Sequence, residues 1–228
     1  MLMLDTANIE KTKQLARTGL FKGVTTNPTI LARSGLDQDA IPGLYEEFAK
    51  LPFEKIFFQA IGYTVDEMLE SGLEIAALGR NVTVKVPASR LGYEVVTELH
   101  RRDISTLLTA AYHPTQAMAA KELGCWGIAP YAGRLEDLGH DPVRTISTMV
   151  DILHGSGVHT FASLRSPDIV GVLGARGVTD FTMSVEIAEK IIDNPHTLAA
   201  VDAFMRDAES MAQHPSPRGR RTPMHHNR

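Results

Sequence analysis

Eight times along this chain a short apolar run gives way to a polar turn and then to a segment with apolar residues at helical spacing. The runs at Leu2–Leu4, Gly23–Thr26, Ile56–Ala60, Val82–Val86, Ser105–Ala110, Trp126–Pro130, Thr160–Ser163 and Asp180–Met183 predict strands. Helix starts are marked by His113-Pro114, Asp141-Pro142 and Ser166-Pro167, and Asn194-Pro195 opens an additional C-terminal helix. Gly79, Gly124 and Gly155 mark helix ends. Eight strand–helix units in 228 residues fit an α/β chain folded as a single closed (β/α)8 barrel better than an open doubly wound sheet, although strand count alone does not show closure. The expected organisation is a barrel with its C-terminal helix over 1–212, followed by a tail over 213–228. That tail has four arginines, no acid and several helix breakers, and is read as a flexible or crossing segment.

The stretch NVTVKVPAS, residues 81–89, points to the site. Val82, Val84 and Val86 recur at every second position, so Thr83 and Lys85 face the other way. In a parallel barrel the valines suit the helix side, which aims Lys85 at the interior near the C-terminal end of its strand, where barrel enzymes keep their chemistry. The same alternation puts Asp5, Asn27, Gln59, Thr109, Tyr131 and Ser163 at or just past that rim. A desolvated lysine has a lowered pKa and a larger fraction of free amine, which can attack a carbonyl carbon. The alternative is a structural lysine, paired with a carboxylate or reaching solvent past the strand end.

Charge excludes some partners. A net charge of -4 with 43% hydrophobic residues gives no electrostatic footprint for nucleic acid or an anionic membrane, and no apolar run is long enough for a bilayer. The single cysteine, Cys125, and the absence of a signal-peptide pattern at the start predict a reducing, cytoplasmic setting. The nine histidines lack metal-ligand spacing, so no metal is expected. Trp126 and Cys125 are read as packing residues.

LDTANIE at the N-terminus, GVTTNPTILA at 23–32, VKVP at 84–87, TLLTAAY at 106–112 and APYAGR at 129–134 resemble the transaldolase family, in order and with near-matching spacing to about residue 210. The match is closest to the fructose-6-phosphate aldolase branch. The resemblance implies a TIM barrel and a class I Schiff-base mechanism without cofactor, with Lys85 as the nucleophile. It implies that Asp5 assists proton movement, although Asp5-Thr6 is also helix-capping chemistry. Thr25 and Asn27 would hold the dihydroxyacetone portion, although Asn-Pro is also a turn signal. Gln59, Thr109 and Tyr131 would hold a water that shuttles protons. A glutamate and a phenylalanine stand at the Gln59 and Tyr131 places in transaldolases.

Leu107 and Ala129 also resemble the aldolase branch, and are equally readable as barrel filling. Arg134, Ser163 and Arg165, with the helix opened by Ser166-Pro167, would bind the substrate phosphate; Arg165 stands where the aldolase branch more often has lysine and transaldolases have arginine. The implied reaction is reversible cleavage of fructose 6-phosphate, or a close relative, to dihydroxyacetone and glyceraldehyde 3-phosphate. The alternatives are transaldolase transfer and a non-catalytic sugar-phosphate-binding barrel. The resemblance also implies a homo-oligomer, a decamer, in which the C-terminal helix crosses to a neighbouring subunit; a helix folded back over its own barrel is the alternative.

Overall fold

A computed structural model describes residues 1–213. The expected tail, apart from Gln213, lies outside the described residues. The chain runs β1 (Leu2–Asp5), α1 (Ile9–Ala16), β2 (Phe21–Thr25), α2 (Pro28–Arg33), a 3₁₀ turn (Gln38–Ala40), α3 (Ile41–Phe48) and β3 (Lys55–Gln59). It continues through α4 (Val65–Ala77), β4 (Val82–Pro87), α5 (Arg90–His100), β5 (Thr106–Ala111), α6 (Thr115–Glu122) and β6 (Gly127–Pro130). The last elements are α7 (Ala132–Asp137), α8 (Pro142–Leu153), β7 (His159–Leu164), α9 (Asp168–Ala175), β8 (Asp180–Met183), α10 (Val185–Ile192) and α11 (Pro195–Gln213).

All eight expected strands are present, and they close in sequence order, with β1 pairing β8 in parallel through Leu2, Met3 and Leu4. Closure rules out the open sheet. The elements form because local chemistry agrees with them. Asn8 caps α1 by accepting from the Lys11 amide at 3.0 Å, Thr64 and Glu67 form a reciprocal capping box on α4, and Asp141 caps α8. The His113-Pro114 and Ser166-Pro167 starts differ from this pattern: α6 and α9 begin one residue after the proline and have no side-chain N-cap bond.

Gly124 and Gly155 adopt the positive φ expected after helices. Gly79 is held by close approach, because a Cβ there would lie 1.8 Å from the Tyr45 hydroxyl oxygen.

The chain divides into two compact units at Glu189/Lys190. In the first, the strands fill the barrel by alternation. Met3, Phe57, Leu107 and Phe161, all essentially inaccessible, come from β1, β3, β5 and β7 and meet in one interior layer with Ala129. The second unit contains α11, whose Leu198, Val201, Phe204 and Met205 are all exposed.

A polar network closes the N-terminal mouth. Asp180, 1% exposed, accepts from the Met1 ammonium at 3.0 Å and the Thr179 hydroxyl at 2.5 Å, and its Oδ2 lies 2.7 Å from His159 Nδ1. The His159 ring stacks on Trp126 with centroids 4.5 Å apart, and Lys55 Nζ stands 5.7 Å from the Trp126 centroid.

Candidate active site

At the opposite mouth the strand ends carry Asp5, Thr25, Gln59, Lys85, Thr109, Tyr131 and Ser163, drawn from β1 to β7 by the same alternation. A cavity of about 600 Å³ opens here, within the range of small-molecule sites, and its wall includes Asp5, Asn27, Gln59, Tyr131, Arg134, Ser163 and Arg165. Lys85, 4% exposed, is not itself part of this wall. Its Nζ donates to the Thr26 carbonyl oxygen at 2.9 Å, so the ammonium group is anchored by a backbone dipole and not by an ion pair.

The two deepest titratable groups tune each other. Burial pushes the Lys85 amine below its ordinary value, and the negative charge of Asp5 partly restores it. Burial pushes the Asp5 carboxyl up, opposed by Lys85 and by the Thr25 hydroxyl. Convergent acid and base strengths ease proton exchange between these two groups or through a shared substrate. Thr25 donates to Asp5 Oδ1 at 2.5 Å and meets the Thr182 hydroxyl at 2.8 Å, so its own hydroxyl is committed to holding the carboxylate. Because Asn8 caps α1, the capping alternative for Asp5 is not realised.

Thr109 and Tyr131 are joined directly, hydroxyl to hydroxyl, at 2.9 Å. The Gln59 amide is bonded to neither. Burial raises the Tyr131 phenol's pKa, while the Thr109 hydrogen bond lowers it. Asn27 caps α2, its Oδ1 accepting from the Ile30 amide at 3.1 Å, and it also lines the cavity. The turn reading and the binding reading thus coincide at that residue. Leu107 and Ala129 sit in the apolar interior layer.

Three arginines, Arg33, Arg134 and Arg165, line the cavity, and one of them is paired. Arg165 Nη1 donates to Asp137 Oδ2 at 2.7 Å and reaches the Gly133 carbonyl at 3.4 Å, whereas neither the Arg134 nor the Arg33 guanidinium has a hydrogen bond to another described residue. Sequence reasoning missed Thr182, Ser184, Arg33 and Ala110. The first has an inward place in β8 readable from DFTM; the other three have a cavity position that only the fold supplies.

A larger groove of about 1390 Å³ on the α3–α4 side carries Asp39, Glu67, Glu70 and Glu74 and no lysine or arginine, which does not suit an anionic ligand. Among the described residues no three His, Cys, Asp or Glu side chains group as a metal site, and no helix is long and apolar enough to cross a membrane.

A closed parallel barrel with an inward, desolvated lysine beside a carboxylate at its C-terminal mouth has the form of a Schiff-base enzyme. Residues 2–219 match the family model described as Transaldolase/Fructose-6-phosphate aldolase, and the chain belongs to that enzyme family. Relatives named "Probable transaldolase" include one from Shouchella clausii, 32% identical over 207 residues covering 90% of this chain and 94% of that protein. A second, from Moorella thermoacetica, is 32% identical over 213 residues, covering 92% and 98%. Among solved structures, a Burkholderia cenocepacia protein superposes with a TM-score of 0.62 at 14% identity over 96% of this chain and 87% of that one. A mandelate oxidase mutant superposes with a TM-score of 0.59 at 12% identity, covering 82% and 66%. At such identities these two structures share the fold alone.

Proposed function

We propose that this enzyme cleaves and forms carbon–carbon bonds of a ketose phosphate through an imine on Lys85, releasing free dihydroxyacetone. The observation that carries the reading is the state of Lys85: buried, its amine pKa lowered by desolvation, and held by a carbonyl oxygen with no acid locked to it.

The neutral amine adds to the ketose carbonyl, and the carbinolamine loses water to give a protonated imine. Electrons of the adjacent carbon–carbon bond flow into that imine as the aldehyde product leaves, and its hydroxyl proton passes to Asp5 or to a water held by the Thr109–Tyr131 pair. Protonation of the enamine carbon and hydrolysis then free dihydroxyacetone and regenerate the amine. Asn27 orients the donor part, Gln59 faces the same space, and Arg134, Ser163 and Arg165 hold the phosphate.

Fructose 6-phosphate is the proposed substrate. The Thr109–Tyr131 pair supports release, since a phenol placed at the enamine favours its protonation. A second reading, transaldolase transfer to an acceptor aldehyde, draws support from Arg165 and from the names of the relatives. A reducing, cytoplasmic setting is proposed from cysteine usage, since Cys125 is the chain's single cysteine. A homo-oligomer is proposed from the exposed apolar face of α11, to be measured by light scattering.

Fructose 6-phosphate supplied alone should yield glyceraldehyde 3-phosphate continuously. A strict requirement for erythrose 4-phosphate would establish transfer instead. Borohydride with dihydroxyacetone should leave an adduct on Lys85, and an unmodified lysine under saturating ketone would overturn both readings.

A further inference from the structure

Strand β5 carries one residue more than its neighbour requires. Leu108 pairs with Ile128 and Ala111 with Pro130, so three steps on β5 oppose two on β6. The residue inside that bulge, Ala110, sits at φ 55°, a left-handed conformation in which Cβ crowds the following carbonyl oxygen. Asp103 is the other non-glycine residue at positive φ among those described, and it belongs to the turn after α5, outside the cavity wall. Ala110 is part of the wall.

Strain that persists in a well-packed strand is over-determined by its surroundings, and both neighbours of β5 show how. Toward β4, the Thr109 carbonyl accepts from the Ala88 amide at 2.9 Å. Toward β6, the Ala111 carbonyl accepts from the Tyr131 amide at 3.3 Å. These two bonds straddle residue 110, and the Thr109 hydroxyl meets the Tyr131 phenol within the same frame. Regular alternation would send Ala110 to the helix side, after Leu108. The extra residue turns it to the cavity and leaves Ala111 fully buried.

We propose that Ala110 is a positioning residue: its left-handed bulge fixes the Thr109–Tyr131 hydroxyl pair in the mouth of the site, so that turnover depends on residue 110 holding that conformation. This inference rests on the Lys85 reading above. Glycine adopts positive φ freely and β-branched residues do so very poorly, so the two substitutions bias the backbone at residue 110 in opposite directions, and the phenol titration reads the hydroxyl pair itself.

The test compares Ala110→Gly with Ala110→Val by kcat per folded molecule, KM, and ultraviolet titration of the phenols, with Tyr131→Phe identifying the Tyr131 signal. Ala110→Gly should keep kcat within about fivefold and leave the Tyr131 titration in place. Ala110→Val should lower kcat by about tenfold to a hundredfold with KM little changed, the scale of a roughly 1 Å misplacement. It should also move the Tyr131 titration to higher pH, because the Thr109 bond that lowers the phenol's pKa is lost.

A folded Ala110→Val with unchanged kcat and titration overturns the proposal, as does an Ala110→Gly that loses more than about fivefold. Should Ala110→Val not fold, Ala110→Gly decides by that same limit. Should the parent enzyme form no adduct with dihydroxyacetone, the Lys85 reading fails by itself, and the phenol titration still decides the role of Ala110.

Discussion

Asp180 and Asp5 lie at opposite mouths of one barrel, and both are inward carboxylates within reach of cationic side chains or ring nitrogens. Asp180 takes bonds on both oxygens, from Met1, Thr179 and His159, and stacking of His159 on Trp126 extends the network. Asp5 takes one hydroxyl, on Oδ1. The two lysines differ in the same sense. Lys55 is half-buried, bonds to the Thr83 hydroxyl at 3.4 Å and stands over an indole; Lys85 is buried, with only the Thr26 carbonyl oxygen as acceptor. A buried polar group whose bonding capacity is taken up by the protein stabilises the fold, while one kept short of partners costs stability and stays available to a substrate.

Replacing Lys85 should sharpen this contrast most. Lys85→Met is expected to lower kcat by about 10⁴-fold or more, the scale on which covalent nucleophiles are lost. It should also raise unfolding stability by about 1–3 kcal/mol, since a buried charge gives way to an apolar chain of similar length. Because the folded pKa of Lys85 lies below its ordinary 10.5, the unfolded chain binds more protons between those values, so the cost of burying Lys85 is full below the folded pKa and vanishes above 10.5. The stability gain of Lys85→Met, followed by denaturant unfolding across pH, should therefore be largest at neutral pH and shrink as pH rises. A gain that grows with pH would break the argument.

Arg134→Ala comes next. The free guanidinium predicts a rise of about 10- to 100-fold in KM for phosphorylated substrate, with little change toward an unphosphorylated acceptor, read from initial rates. At the other mouth, Asp180→Asn should cost about 2–4 kcal/mol of stability and leave kcat within about threefold. An Asp180→Asn enzyme that is stable but inactive would erase the distinction between the two ends. Lys55→Met is the smallest effect: a stability change of about 0.5–1 kcal/mol at most, with activity unaltered.

Much of this was readable in advance because it is local. The alternation of Val82, Val84 and Val86 with Thr83 and Lys85 set which way the lysine points, and the caps at Asn194 and Asp141 stand where helices begin. The relation of Asp5 to Thr25 and Thr182 was not readable, since that pair of threonines is separated by 157 positions and meets only when β8 closes on β1. Nor was the exposed ion pair of Arg165 with Asp137, which sets that arginine apart from Arg134 and Arg33 in the same wall.

Periodicity, capping and turn chemistry are short-range, so the order of elements, the inward face of each strand and the candidate lysine follow from the chain alone. Which carboxylate is saturated, which arginine is paired, and where β5 takes its extra residue depend on distances between segments far apart in the chain. Those distances are set by closure and register, and they decided which polar groups brace the barrel and which can meet a substrate.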